Sequence, residues 1–159
     1  MLKLKQPEMS SMTFRRELPS NFDYLSDGGT SWVAIECRAG GYLNADLQRL
    51  RDQIELKRQI KAMEVSEFAK DRGKYAALIN SMSIEIGRMR FEAIYDACVV
   101  SWSTNIQDDG LPMVCDKDHF MELVGVKIEE MATIFLDFAV YIDQVAHFIL
   151  KADEATIKN

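Results

Sequence analysis

The alternation of apolar and polar positions predicts a chain that is mostly helical. The clearest helix lies near the end, where apolar residues recur every three or four positions from Val124 to Ile149. A second apolar stripe follows the same helix at intervals of seven, through Ile134, Tyr141 and Phe148. One helix of a small domain rarely needs two apolar faces. We therefore expect one face to meet the core, while the other either meets a partner or is also buried in the monomer.

Two long helices are predicted upstream. The first begins after Asn44, a residue suited to an N-cap, and runs towards Gly73 with a narrow apolar stripe that ends at Ile54. The second is predicted over residues 74–101 and carries a broader apolar stripe. A solvated surface helix accounts for the narrow stripe of the first helix, and pairing with a second subunit is the alternative.

Strand-like alternation is confined to the beginning of the chain. Residues 13–18 and 32–38 have the two-residue period of strands, and a polar segment separates them. In the first, Phe14, Arg16 and Leu18 share one face; in the second, Val33, Ile35 and Cys37 do. These segments predict a hairpin, which must lie on the helices or pair with another subunit because an isolated hairpin is only marginally stable. The sequence thus predicts a mainly α fold of four to five helices with a small N-terminal β-hairpin. The single domain, 1–159, divides into a hairpin (12–39), a helical part (44–150) and a flexible tail (151–159).

A reversing loop is predicted after the second helix. Asp109 and Gly110 form the centre of a turn, and Pro112 prevents the helix from continuing. Asp116 is suited to cap the short helix that follows. Trp102 is expected to fill the core where the second helix ends, with its indole N–H close to a loop carbonyl.

Composition and charge exclude several functional classes. The 159 residues are 48% apolar and 28% charged, which is typical of a globular domain. The net charge of -6 is uneven: residues 1–74 carry 13 basic and 11 acidic side chains (+2), and residues 75–159 carry 6 and 14 (-8). The acidic half would repel a phosphate backbone, so we expect no nucleic-acid partner.

Membrane insertion and secretion are also not expected. The longest apolar run, residues 131–150, is interrupted by Asp137, Asp143 and His147, which are expensive in lipid. An odd number of cysteines, three, and an N-terminus without an apolar signal segment indicate a reducing, intracellular compartment.

The densest group of ionisable side chains surrounds the predicted loop. A hard metal ion could use its carboxylates, although turn formation and helix capping explain the same acids. Neither histidine lies in a zinc or nucleophile pattern, and there is no phosphate-binding loop. We therefore predict no enzyme activity, no catalytic residue, no metal and no cofactor, and keep a small metal-dependent enzyme as an alternative. The cluster consists of Asp108, Asp109, Asp116, Asp118, His119 and Glu122.

The order of features around the loop resembles the tail assembly chaperones of long-tailed bacteriophages. The shared order is a helix with a Trp, a polar segment, Asp-Gly-x-Pro, and a capped helix that carries a Phe and a Leu. An N-terminal hairpin leading into a Leu-rich segment fits the same family. The matching residues are Trp102, Asp109, Gly110, Pro112, Asp116, Phe120 and Leu123.

This resemblance implies a non-catalytic role in viral tail morphogenesis. Proteins of this family bind the tape-measure protein and help to recruit tail-tube subunits in the host cell cytoplasm, and they are absent from the mature virion. Self-association into a homo-oligomer is compatible with this role, and a structural head-to-tail adaptor is the alternative. The second apolar face of the last helix, which carries the second stripe and the adjacent Phe138, supplies the predicted partner-binding residues, Ile134, Phe138, Tyr141 and Phe148.

Overall fold

A computed structural model describes residues 11–158 of the chain, and its side chains as far as Ala146. This part of the chain combines long helices with a small antiparallel sheet, which confirms the mainly α fold. Two short 3₁₀ helices lie at Ser20–Leu25 and Gly41–Leu43. The other elements are β1 (Met12–Glu17), β2 (Trp32–Cys37), α1 (Ala45–Ser66), α2 (Arg72–Cys98), β3 (Val99–Thr104), β4 (Gln107–Asp108), β5 (Leu111–Pro112), α3 (Lys117–Gly125) and α4 (Glu129–Lys158).

The main sheet has the order β1-β2-β3, with β2 in the centre. The predicted hairpin forms as β1 and β2, which pair Phe14 with Ile35. The third strand was not predicted, because the helical pattern continues to Ser101. In the structure α2 ends at Cys98, and the next residues pair with β2, placing Ile35 opposite Trp102. The β-branched residues that open β3 suit this extended conformation.

Asn44 fixes the start of α1 beside the end of α2. Its side-chain oxygen accepts a hydrogen bond from the N–H of Leu47 at 3.1 Å, which confirms the predicted N-cap. Its Nδ2 donates to the carbonyls of Ala39 at 3.1 Å and Ala97 at 3.0 Å. A single buried amide therefore joins three segments of backbone.

The α1–α2 hairpin contributes to the main core at only one end. The predicted stripe of α1 packs within the chain, where Leu47 and Ile54 are buried, so this stripe does not pair with a second subunit. The helix ends at Ser66, before the predicted Gly73. The main core contains α1 residues only up to Ile54 and α2 residues only from Met82 onwards. We call residues 55–81 the distal arm.

The last helix covers the inner face of the sheet. It starts at Glu129, separated from α3 by a short break, and extends past residue 150, where the sequence placed the start of a flexible tail. The Phe138 ring lies 5.4 Å from the Phe14 ring of β1, and both residues are fully buried. In the described part of the chain, every helix is too short or too polar to cross a bilayer.

Candidate protein-binding groove

An open groove of about 700 Å³ lies between α2 and α3. Apolar side chains from both helices line it, and Ile84 of α2 is 67% exposed. The other apolar lining residues are half-buried, so together with Ile84 they leave apolar surface available to a partner. The apolar lining consists of Ile84, Phe91, Met121 and Val124.

Charged residues of both signs also line the groove. Arg88 and Glu92 of α2 form an ion pair at 3.3 Å. Lys117 of α3 pairs with Asp96 at 2.9 Å, which joins the two helices and raises the pKa of the lysine. An apolar lining flanked by charges matches the two faces of an amphipathic helix, which is one of the recurrent ways in which proteins bind peptides.

Aromatic packing holds α3 in the position that forms one wall of the groove. The Phe120 ring is fully buried, 5.7 Å from the Trp102 ring and 5.1 Å from the Phe135 ring, with edge contacts to both. The indole N–H of Trp102 donates to the carbonyl of Asp116 at 3.0 Å. The predicted burial of Trp102 and its bond to a loop carbonyl are thus confirmed, although this residue lies in a strand and not at a helix end.

The predicted turn is confirmed as the tip of a small hairpin. Asp109 and Gly110 both have positive φ values, 49° and 77°, as a type I′ turn requires. The turn joins β4 to β5, which ends at Pro112. Its geometry depends on local sequence, since an Asp-Gly pair is among the commonest at this position.

Asp116 caps α3 and also binds a histidine of the first turn. Its Oδ1 accepts from the N–H of His119 at 2.9 Å and lies 2.6 Å from Nδ1 of the same residue. Nε2 of His119 lies 3.6 Å from a carboxylate oxygen of Asp108. The hydrogen bond with Asp116 raises the pKa of His119, and the bonds with His119 lower the pKa of Asp116.

The structure thus brings together only part of the predicted acidic cluster, and that part surrounds His119. Asp108 and Asp116 flank His119, while Asp118 and Glu122 line the groove. Among the side chains that the structure describes, residues 11–146, no group of three or more His, Cys, Asp or Glu is arranged to hold a metal ion.

The cysteines differ in their surroundings. Burial raises the pKa of Cys37 to about 11 and that of Cys98 to about 12, so both stay protonated near neutral pH. Cys115, next to the cap of α3, is exposed.

The predicted partner surface on α4 requires correction. Ile134 and Phe138 are buried and Tyr141 is half-buried, because β1 covers this face and the Phe14 ring lies 5.4 Å from the Tyr141 ring. Phe148 lies outside the side chains that the structure describes. For the first three residues, burial within the monomer is the alternative that the structure supports.

Sequence reasoning named two charged residues of the groove, Asp118 and Glu122, but missed its apolar lining. Ile84 and Phe91 are seven positions apart on α2, beside the main stripe, and Met121 and Val124 are three apart on α3. Apolar residues at helical spacing outside the main stripe were the available signal. Comparison with known proteins adds no further assignment, since no protein-family model, curated protein or solved structure matches this chain.

Proposed function

We propose that this protein is a non-catalytic tail assembly chaperone of a long-tailed bacteriophage. In this role it binds the tape-measure protein and helps to recruit tail-tube subunits in the host cell cytoplasm, and it leaves before the virion is complete. The observation that supports the proposal is the groove between α2 and α3, whose apolar lining and charged flanks suit a long amphipathic helix.

The residues that carry the family resemblance contribute to this groove indirectly. Trp102, Asp116 and Phe120 contact one another and hold α3 against the rest of the domain. Because α3 forms one wall of the groove, substitutions in this group would displace the wall. The resemblance and the proposed binding surface therefore involve one connected part of the molecule.

The shape of the groove also suits reversible binding. A chaperone of this kind must cover apolar stripes on the tape-measure helix until tube subunits displace it, so its affinity for that helix must be moderate. An open surface groove leaves part of a bound helix in water and permits exchange, whereas a closed pocket buries most of its ligand.

Co-expression tests the proposal. The chain is produced together with the product of the longest predicted-helical open reading frame downstream of its gene, and solubility and co-elution are measured. We expect the long protein to be soluble only when this chain is co-expressed with it. Ile84→Glu and Met121→Glu should abolish co-elution, because each places a charge in the apolar lining.

Leu136→Glu is the matched control, since Leu136 is 59% exposed on α4 and lies outside the groove. It should leave co-elution unchanged. If the long protein stays insoluble in the presence of this chain, the chaperone function is wrong. Detection of the chain in purified virions by mass spectrometry would instead favour the head-to-tail adaptor.

A further inference from the structure

The first long helix carries two apolar faces. Its inner face packs within the chain through residues that include Ile54. Leu56, Ile60 and Met63 follow at spacings of four and three, so they share one face. At about 100° per residue, Leu56 lies about 200° around the helix from Ile54, on the opposite side. We call these three residues the outer stripe.

The rest of the described chain leaves the outer stripe uncovered. Leu56, Ile60 and Met63 are 59%, 50% and 73% exposed. All three belong to the distal arm, which lies beyond the part of α1 that enters the main core. Such a run of large apolar side chains on a narrow helical face is the pattern of a helix–helix contact.

The charges beside the outer stripe are complementary to those of a second copy. Lys57 and Glu64 are seven residues apart and therefore flank the same side of the stripe. Neither forms an ion pair among the described residues. When two such helices pack antiparallel with Ile60 beside Met63 of the other copy, Lys57 of each copy lies opposite Glu64 of the other.

The opposite flank of the stripe is compatible with the same arrangement. In that register Gln59 faces Ser66 of the other copy, and neither residue is charged. A shift of one heptad would instead place the two Lys57 side chains opposite each other, where like charges repel. The charges thus favour one antiparallel register.

A parallel pair is less suitable. It would place Lys57 opposite Asp52 and Glu64 opposite the neutral Gln59, so only one of the two charges gains an oppositely charged partner. It would also place the main cores of the two copies side by side at one end of the helix pair, because α1 of each copy starts at a buried residue of the core, Asn44. An antiparallel pair separates them.

We propose that the outer stripe is a self-association surface, on which the distal arms of two copies pack antiparallel. Three large side chains provide an interface smaller than that of a standard stable complex. The dimer should therefore be weak, populated at high but not at low protein concentration. This inference goes beyond the proposed chaperone function and uses a different face of the molecule.

Sedimentation velocity over a wide range of concentrations measures the association. We expect the average mass to rise from monomer towards dimer as concentration increases. Ile60→Ser should keep the protein monomeric at every concentration, whereas Leu136→Ser, a loss of similar exposed apolar area on α4, should not. Circular dichroism confirms that both variants are folded. A wild-type chain that stays monomeric throughout overturns the proposal, as does a dimer unaffected by Ile60→Ser.

Charge reversal tests the arrangement of the two helices. Lys57→Glu and Glu64→Lys should each weaken the dimer at least several-fold, because each places like charges opposite each other twice. The double variant should restore it. If Lys57→Glu weakens the dimer but Glu64→Lys does not, and the double variant is as weak as Lys57→Glu, the parallel arrangement is correct and the proposed one is wrong. Because these variants leave the α2–α3 groove intact, their failure would be separable from failure of the co-expression test.

Discussion

Nδ1 of His119 lies 2.6 Å from Oδ1 of Asp116, the carboxylate that also caps the helix on which this histidine lies. Asp116 therefore stabilises the start of α3 through both the backbone N–H and the ring of one residue. Asp108, in strand β4 of the small hairpin, adds a second negative charge 3.6 Å from the other ring nitrogen.

This arrangement predicts a pH-dependent contribution to stability. The pKa of His119 is raised above its ordinary 6.5, so its contribution is complete below that pH and disappears as the pH rises through the raised value. The pKa of Asp116 is lowered below 3.8, so its contribution is present above that pH and disappears as the pH falls through the lowered value. The pair should stabilise α3 most between these two pH values.

Melting temperatures of wild type and His119→Gln, measured across about pH 5 to 8, check this expectation. The difference should be largest at the acidic end and shrink as the pH rises. Asp116→Asn keeps a good capping side chain but removes the charge, so it should lose the same pH dependence. A difference that stays constant across the range would contradict the predicted role of the ring.

Asn44→Ala should destabilise the protein by about 2–4 kcal/mol, because it removes an N-cap and leaves buried carbonyls without a donor. The free energy of unfolding in urea measures the loss. Asp71→Ala is the control, since Asp71 caps α2 by the same type of bond but is exposed, and its loss should be about 1 kcal/mol or less. Equal losses would show that the buried bonds of Asn44 add nothing.

Trp102→Phe should cost about 1–2 kcal/mol, since it keeps an aromatic ring but removes the donor to the carbonyl of Asp116. Phe120→Ala should cost about 3–5 kcal/mol by leaving a cavity among aromatic rings. Val100→Ala, at a 48% exposed position of the same strand as Trp102, should change stability by no more than about 0.5 kcal/mol. Denaturant unfolding curves of the three variants test this order.

Thiol labelling should distinguish the cysteines. In the native protein only Cys115 should react quickly with an aromatic disulfide reagent, because Cys37 and Cys98 are buried and their raised pKa values keep them protonated. All three should react in denaturant. Cys115→Ser should abolish the fast native reaction, and a fast reaction that persists in this variant would show that a buried thiol becomes accessible.

Local signals in the sequence predicted the features that depend on neighbouring residues alone. The caps at Asn44 and Asp116 and the turn at Asp109 and Gly110 each need only a few consecutive residues of suitable chemistry. The hairpin of β1 and β2 also follows from alternation within two short segments.

Features that depend on distant segments could not be predicted in the same way. Val100, at the start of β3, continues the apolar period of α2, so the pattern alone extends the helix, whereas in the structure the segment pairs with β2, far upstream. The second face of α4 resembled a partner surface because nothing in its own sequence shows that Phe14 covers it. The groove likewise forms only when α3 packs against α2.

The position of the helical hairpin between β2 and β3 bears on how the sheet assembles. Pairing of these strands closes a long loop, which in a flexible chain carries an entropic penalty. The α1–α2 hairpin can form from local contacts, and Asn44 then holds the start of one helix beside Ala97 at the end of the other. Folding of the hairpin would therefore bring the two strands together early. Substitutions that weaken the α1–α2 contact should slow folding more than they accelerate unfolding, which stopped-flow kinetics would measure.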